Sequence, residues 1–357
     1  MIRNKALCFC VAAALLLGLC GCGEEKEPPV TLAVVTDGSS ALEQGVNQAV
    51  WQAVQTYAEE SGEKTGRYHP ADGSGEACGA AIDEAVEKGA QVVISCGEGA
   101  GTAVYQAQRE YRNVQFLMLG AEPHKDGSDK AKLRGNTRCI LFDREQAGFL
   151  AGYAAVKEGY TNLAYYGGKD QERAKEYGVG FLEGAQEAAK ELKLGEGAVQ
   201  IRYQERGTDG VSPAFLSEME QNYQNGCQAV FTDGSSFTAM IQKAAEAVGG
   251  KVLGAETDQS QASSAAVISA VNQYGEVLTQ ELKAIAQGDF DGGKTETLGI
   301  SEGGVGLTMG TSQMVNFTQE QYSQLLEKAE NKEFRFRGTQ LLKKTDSFSC
   351  LQIQREE

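Results

Sequence analysis

Past residue 30 the chain repeats one rhythm. A short apolar run rich in β-branched residues gives way to turn formers, and then to apolar residues recurring every three or four positions. Residues 30–36 (VTLAVVT) open the series and run into Asp37-Gly38-Ser39-Ser40. Residues 44–60 follow with Val46, Val50, Ala53, Val54 and Tyr57 at helical spacing, and Gly62 stops the helix. Further strand runs are read at 91–96, 114–119, 162–166, 229–232, 251–254 and 266–270. Amphipathic helices are read near 76–88, 100–111, 144–158, 173–192, 213–225, 235–248, 273–287 and 318–332. Strands alternating with such helices predict α/β architecture, with parallel sheets covered on both faces.

So many strand–helix units exceed one comfortable sheet, and the pattern predicts two doubly wound parallel-sheet lobes. The quintet TDGSS occurs at 36–40 and again at 232–236, each time between a strand and a helix. All five are ordinary turn formers, so the echo is modest support for two similar lobes. Doubly wound sheets take ligands beyond the carboxyl ends of their strands. Loops 37–43, 97–101, 120–126, 167–172, 233–237 and 255–259 are therefore the candidate binding loops, facing a cleft between the lobes.

The first thirty residues do not follow this rhythm. Arg3 and Lys5 precede an apolar run from Ala6 to Leu19, too short to span a bilayer and suited to a signal peptide. Leu19-Cys20-Gly21-Cys22 fits a bacterial lipobox, with a branched apolar residue at −3 and a small one before the cysteine; Cys20 fits less well, since Leu19 would precede it. Cys22 is the expected lipidation site, and the polar stretch Gly23–Pro29 the expected tether to the outer face of the cell membrane.

Charge then narrows the partners. Lys and Arg number 33 against 49 Asp and Glu, a formal charge of −16, which argues against nucleic-acid binding. The only histidines, His69 and His124, are far apart in sequence, leaving little for a His-based metal site or acid–base pair. Beyond Cys22 stand Cys78, Cys96, Cys139, Cys227 and Cys350, with no C-x-x-C spacing; Cys96 and Cys139 read as buried small hydrophobes. Gly97-Glu98-Gly99-Ala100-Gly101 follows a strand but lacks dinucleotide-loop spacing and puts an acid where phosphate would approach, so tight strand–helix packing is preferred. Neither a P-loop nor a glycosidase-type dyad is marked. The reading is a non-enzymatic protein with no cofactor.

Several segments resemble the basic membrane protein family of substrate-binding lipoproteins, which serve ABC importers and in known cases bind nucleosides. Thr36, Asp37, Asn47, Gln48 and Trp51 match the family's opening motif within TDGSSALEQGVNQAVW. Phe142 with Gly148-Phe149-Leu150-Ala151-Gly152, and Gly180-Phe181-Leu182-Glu183-Gly184, match two internal motifs. Gly288–Lys294 and Gly299–Leu307 (GISEGGVGL) match the most specific late block. The resemblance implies a type I periplasmic-binding-protein fold whose chain crosses three times between hinged lobes. It also implies a small-molecule ligand, most often a nucleoside, and a permease partner. The corresponding division is a leader at 1–22, a tether at 23–30, a first lobe of 31–141 plus 271–297, a second of 142–270 plus 298–345, and a tail at 346–357.

The departures bear on specificity. Val46 stands where nucleoside binders carry an aromatic. Glu256 replaces an Asp expected to accept from ribose hydroxyls, Asn272 replaces a Lys, and Ser235-Ser236 replace a Gly-Gly pair. Asp37, Asn47, Asp233, Ser235, Glu256 and Asn272 are the candidate ligand residues. Helix capping is the structural alternative for Asp37 and Asp233, and core packing the preferred role of Trp51. The alternatives at the level of function are a ligand-sensing receptor and a sugar-binding protein of the same fold.

Overall fold

The computed structural model describes residues 31–36, 45–128, 130–169, 171–206, 212–234, 236–344 and 347–356. Cys22, the tether, Asp37 and Ser235 lie outside the described residues. The chain runs β1 (Leu32–Val35), α1 (Val46–Ser61), β2 (Thr65–Tyr68), α2 (Gly75–Glu87), β3 (Val92–Cys96), α3 (Gly101–Glu110), β4 (Gln115–Leu119) and β5 (Thr137–Phe142). It continues through α4 (Arg144–Glu158), β6 (Asn162–Gly168), α5 (Glu172–Glu191), β7 (Val199–Arg206), α6 (Pro213–Gln224), β8 (Ala229–Thr232), α7 (Thr238–Val248) and β9 (Lys251–Glu256). The remaining elements are β10 (Ala266–Asn272), α8 (Tyr274–Gln287), β11 (Lys294–Leu298), β12 (Val305–Leu307), α9 (Gln319–Glu330) and β13 (Leu351–Glu356).

These strands form two sheets. The first has the order β11-β5-β4-β3-β1-β2 and is parallel throughout. The second has the order β12-β10-β9-β8-β6-β7-β13, parallel except for β12 against β10. Each sheet turns back on itself after its first strand: β1 lies between β2 and β3, and β6 between β7 and β8. The TDGSS echo thus sits on corresponding parts of neither sheet, since it follows β1 in one and β8, not β6, in the other.

The chain passes between the sheets three times: at Asp143, at Gln273 and over 299–304. The passages are bonded to one another. Asp143 N–H donates to the Leu298 carbonyl at 3.0 Å, and Gln273 N–H donates to the Gly304 carbonyl at 2.9 Å. The Gln146 amide oxygen accepts from Ile300 N–H at 2.8 Å.

The internal glycine motifs are a packing device. A Cβ on Gly148 or Gly152 of α4 would land on backbone of α5, and one on Gly180 or Gly184 would land on the carbonyl of Glu145 or Phe149. Hydrogen side chains let the two backbones touch, which fixes α4 and α5 as one unit. Both helices are buried over most of their length.

Strands without a clear apolar signature are placed by pairing. β11, KTETL, is exposed along nearly its whole length and adds only an edge to β5. β13, in the segment set apart by sequence as a tail, pairs in parallel with β7, with Phe348 and Cys350 buried at its entry. No helix among the described residues is long and apolar enough to cross a membrane.

Candidate functional site

A cavity of about 670 Å³ opens between the carboxyl ends of the two sheets. Its volume falls in the range of small-molecule sites, roughly 300–1,000 Å³. It draws residues from the candidate loops at 97–101, 120–126, 167–172 and 255–259.

The wall from the first sheet is formed by Val46 at the start of α1, Cys96 and Gly97 at the end of β3, and Leu119 and Gly120 at the end of β4. None of these side chains is charged. Asn47 is buried behind Val46, and its side-chain oxygen accepts from the Cys96 thiol at 3.2 Å. That bond ties α1 to β3 and fixes the thiol beside the cavity; Asn47 itself is not among the lining residues. Trp51, one turn on, packs half-buried with the Arg67 guanidinium 5.9 Å from its ring centre.

Among the described residues, the opposite wall carries the charge. Arg144 opens α4; Gln171, Glu172, Arg173 and Glu176 come from the start of α5; Glu256 ends β9. Arg144 lies 3.4 Å from Glu176, and Arg173 lies 3.4 Å from Glu256. Burial pushes the Glu256 carboxyl above the usual carboxylate range, against the opposing pull of Arg173 and Arg144. Burial does the same at Glu176, again opposed by Arg144. The acids are thus held between desolvation and the guanidinium groups, an arrangement that favours a ligand offering hydrogen-bond donors.

Glu256 is held in an unusual backbone state, φ +67°. Left-handed backbone costs a side chain such as Glu free energy and is characteristic of functional loops. Gly234 makes room for it: that residue has φ +82°, and a Cβ there would come within 3.2 Å of the Glu256 carboxylate. Asp233, fully buried, lies behind the wall rather than in it. Its carboxylate accepts from Gly168 N–H at 3.0 Å, and its carbonyl accepts from Arg173 at 3.1 Å. Asp233 therefore braces the loop after β6 and orients Arg173. Its burial could not be read from a generic turn sequence.

Asn272 and Tyr274 close the floor at the second passage between sheets. The Asn272 amide donates to the Tyr274 hydroxyl at 3.0 Å, and the Tyr274 ring meets Phe142 edge-on with centroids 4.9 Å apart. Of the sequence candidates, Glu256 and Asn272 line the cavity, Asn47 and Asp233 support it from behind, and Asp37 and Ser235 lie outside the described residues. Arg144, Arg173, Glu176, Cys96 and Tyr274 are lining residues that sequence reasoning missed. The available signal was position: Cys96, Arg144, Arg173 and Tyr274 sit at or within five residues of a strand's carboxyl end, and Glu176 lies one turn into the helix that follows β6. No His lines the cavity, and among the described residues no cluster of His, Cys, Asp and Glu could hold a metal ion.

Two sheets, parallel but for the edge strand β12, with a polar cavity between their carboxyl ends define a solute-binding architecture. The family described as PnrA-like ABC transporter substrate-binding proteins matches residues 30–340, and the chain belongs to it. Basic membrane protein D of Borreliella burgdorferi is 27% identical over 54% of this chain, an alignment that spans only 55% of that relative. The nucleoside-binding protein BmpA of an ABC transporter in Lactococcus lactis is 21% identical over 79% of this chain and 83% of its own. Among solved structures, an ABC transporter solute-binding protein from Aeropyrum pernix superposes with a TM-score of 0.66 at 16% identity, covering 90% of this chain and 98% of that one. That likeness establishes the periplasmic-binding-protein fold.

Proposed function

We propose that the protein is a lipid-anchored receptor on the outer face of the cell membrane that captures a nucleoside and delivers it to the permease of an ABC importer. The single observation that carries the reading is the two-walled cavity of about 670 Å³ between the sheets. The uncharged wall suits a base, and Glu256 with Asn272 offers polar groups to sugar hydroxyls. The BmpA relative supports the same ligand class. In this reading the lobes are residues 31–141 with 271–297 and residues 142–270 with 298–345, hinged at the three passages, and closure excludes water and strengthens each polar contact. Asp37 and Ser235 would add polar contacts from the loops after β1 and β8. Cys22 carries the lipid; a Cys22→Ser variant would be released from the membrane.

A second ligand class has its own support. Val46 offers no aromatic face to a base, and Tyr274 is the single aromatic among the described lining residues. That favours a hydroxylated ligand without a ring system to stack, such as a sugar. Thermal unfolding with purine nucleosides and with free sugars separates the two. A bound ligand at a hundred times its Kd stabilises by about 2.7 kcal/mol. Stabilisation by nucleosides supports the first reading, stabilisation by sugars alone replaces it with the second, and neither defeats both.

A further inference from the structure

After α9 the chain runs across the ends of α4 and α5 that feed the cavity, and it is fastened to both. Glu145, the residue after Arg144, accepts from the backbone N–H groups of Arg337 at 3.0 Å and Gly338 at 2.7 Å. The Thr339 hydroxyl donates to Glu172, the residue before Arg173, at 2.6 Å. Arg337 Nε donates to Glu183 further along α5 at 3.0 Å. Phe334 and Phe336 set their rings against Phe149 of α4, with centroids 4.7 and 5.4 Å away. The segment itself is tied down beyond Thr339 by Leu341 and Leu342, which are buried, and by β13 on the edge of the second sheet.

Two of the fastening points, Glu145 and Glu172, are the sequence neighbours of the cavity arginines Arg144 and Arg173. Arg144 and Arg173 are long side chains that lose rotamer freedom when they grip a ligand. Holding their backbones still beforehand removes part of that cost. We propose that residues 334–339 form a positioning strap, which sets the ligand affinity of the charged wall by fixing the first turns of α4 and α5. The strap reaches the cavity only through Glu172 and contributes no lining residue of its own. The motifs quoted from the sequence end at Leu307, before the strap, while the family match to residue 340 includes it.

The inference rests on the cavity being the ligand site, and the test separates the two. The full-length protein is compared with a Glu145→Ala/Thr339→Val double variant that releases both fastenings. A Glu145→Gln/Thr339→Ser variant keeps an acceptor oxygen and a hydroxyl at the same places. Guanosine affinity is measured by calorimetry, together with Tm and deuterium uptake over residues 144–148 and 168–180. The double variant is expected to bind guanosine about tenfold more weakly, the equivalent of one or two lost hydrogen bonds. It should take up deuterium faster in both segments, and the conservative variant should restore both readouts. A lower Tm with affinity and uptake unchanged would make the segment mere scaffolding and overturn the proposal, as would failure of the conservative variant to rescue. If the wild-type protein binds no guanosine, that counts against the nucleoside reading only. Deuterium uptake then decides the strap, and unchanged uptake over 168–180 refutes it.

Discussion

On one side of the cavity stand Val46, Cys96, Gly97, Leu119 and Gly120; on the other, Arg144, Glu172, Arg173, Glu176 and Glu256. Both walls are made the same way, from residues at or just past the carboxyl ends of parallel strands or in the first turns of the helices that follow them. They differ in what stands behind them. The uncharged wall is backed by the buried bond between Asn47 and Cys96. The charged wall is backed by the glycine contact of α4 with α5, the buried Asp233 and the C-terminal segment. Charges in a partly desolvated site need fixed partners, whereas apolar groups need only close packing. The difference teaches that the polar half of this site is the half with a constructed support.

The largest effect should come from breaking that support. Gly180→Val places a side chain on the Glu145 carbonyl and should cost about 3 kcal/mol, or yield no soluble protein, as measured by urea unfolding. An equally large change in the uncharged wall, such as Gly120→Val, puts a side chain in a left-handed position but meets no neighbouring atom; it should be milder.

Behind the charged wall, Glu183 gives the support a pH signature. Burial raises its carboxyl to about 7, against the Arg337 hydrogen bond and with the nearby Glu145 adding to the rise. The folded state therefore holds the proton more tightly than the unfolded chain. The resulting stabilisation is full below about pH 4.5, fades as pH rises, and is gone above about 7. Its ceiling is about 3 kcal/mol. Glu183→Gln should flatten the fall in Tm between these pH values; an unchanged slope would assign it to other groups.

Glu256→Gln tests the charge of the wall itself. It keeps the shape but removes the negative charge facing Arg173, and should weaken ligand binding by about 2 kcal/mol while changing stability by less. If binding is unaffected, the acid is structural.

The smallest effect belongs to the other wall. Val46→Phe supplies the missing ring and should tighten purine nucleoside binding by about 1 kcal/mol, without improving sugar binding. Loss of nucleoside binding would show that the wall needs the space Val46 leaves.

Much of this was legible along the chain. The alternation of strands and helices was read from β1 to α9, and the late block GISEGGVGL pointed to the family. Glu256 and Asn272 were reached through motif positions and do line the cavity. Arg144 and Arg173 were not reached, because an arginine at the start of an amphipathic helix looks like any solvated charge until the facing sheet is known. Strands β2, β5, β7, β11, β12 and β13 were also missed. β2 and β11 carry little apolar signal of their own, and each of these strands is fixed by hydrogen bonds to a neighbour distant in sequence.

What the sequence determined by itself is whatever depends on near neighbours: periodicity, turn chemistry, and the glycine spacings that later proved to be helix contacts. Those features act over a few residues and leave their mark in order along the chain. What only the tertiary structure decided is which charges face the same space. Arg173 and Glu256 are far apart in sequence yet meet at 3.4 Å, and Asp233 is buried behind them. Burial and pairing set the strength of a charge, and both are properties of the folded surroundings that no local pattern encodes.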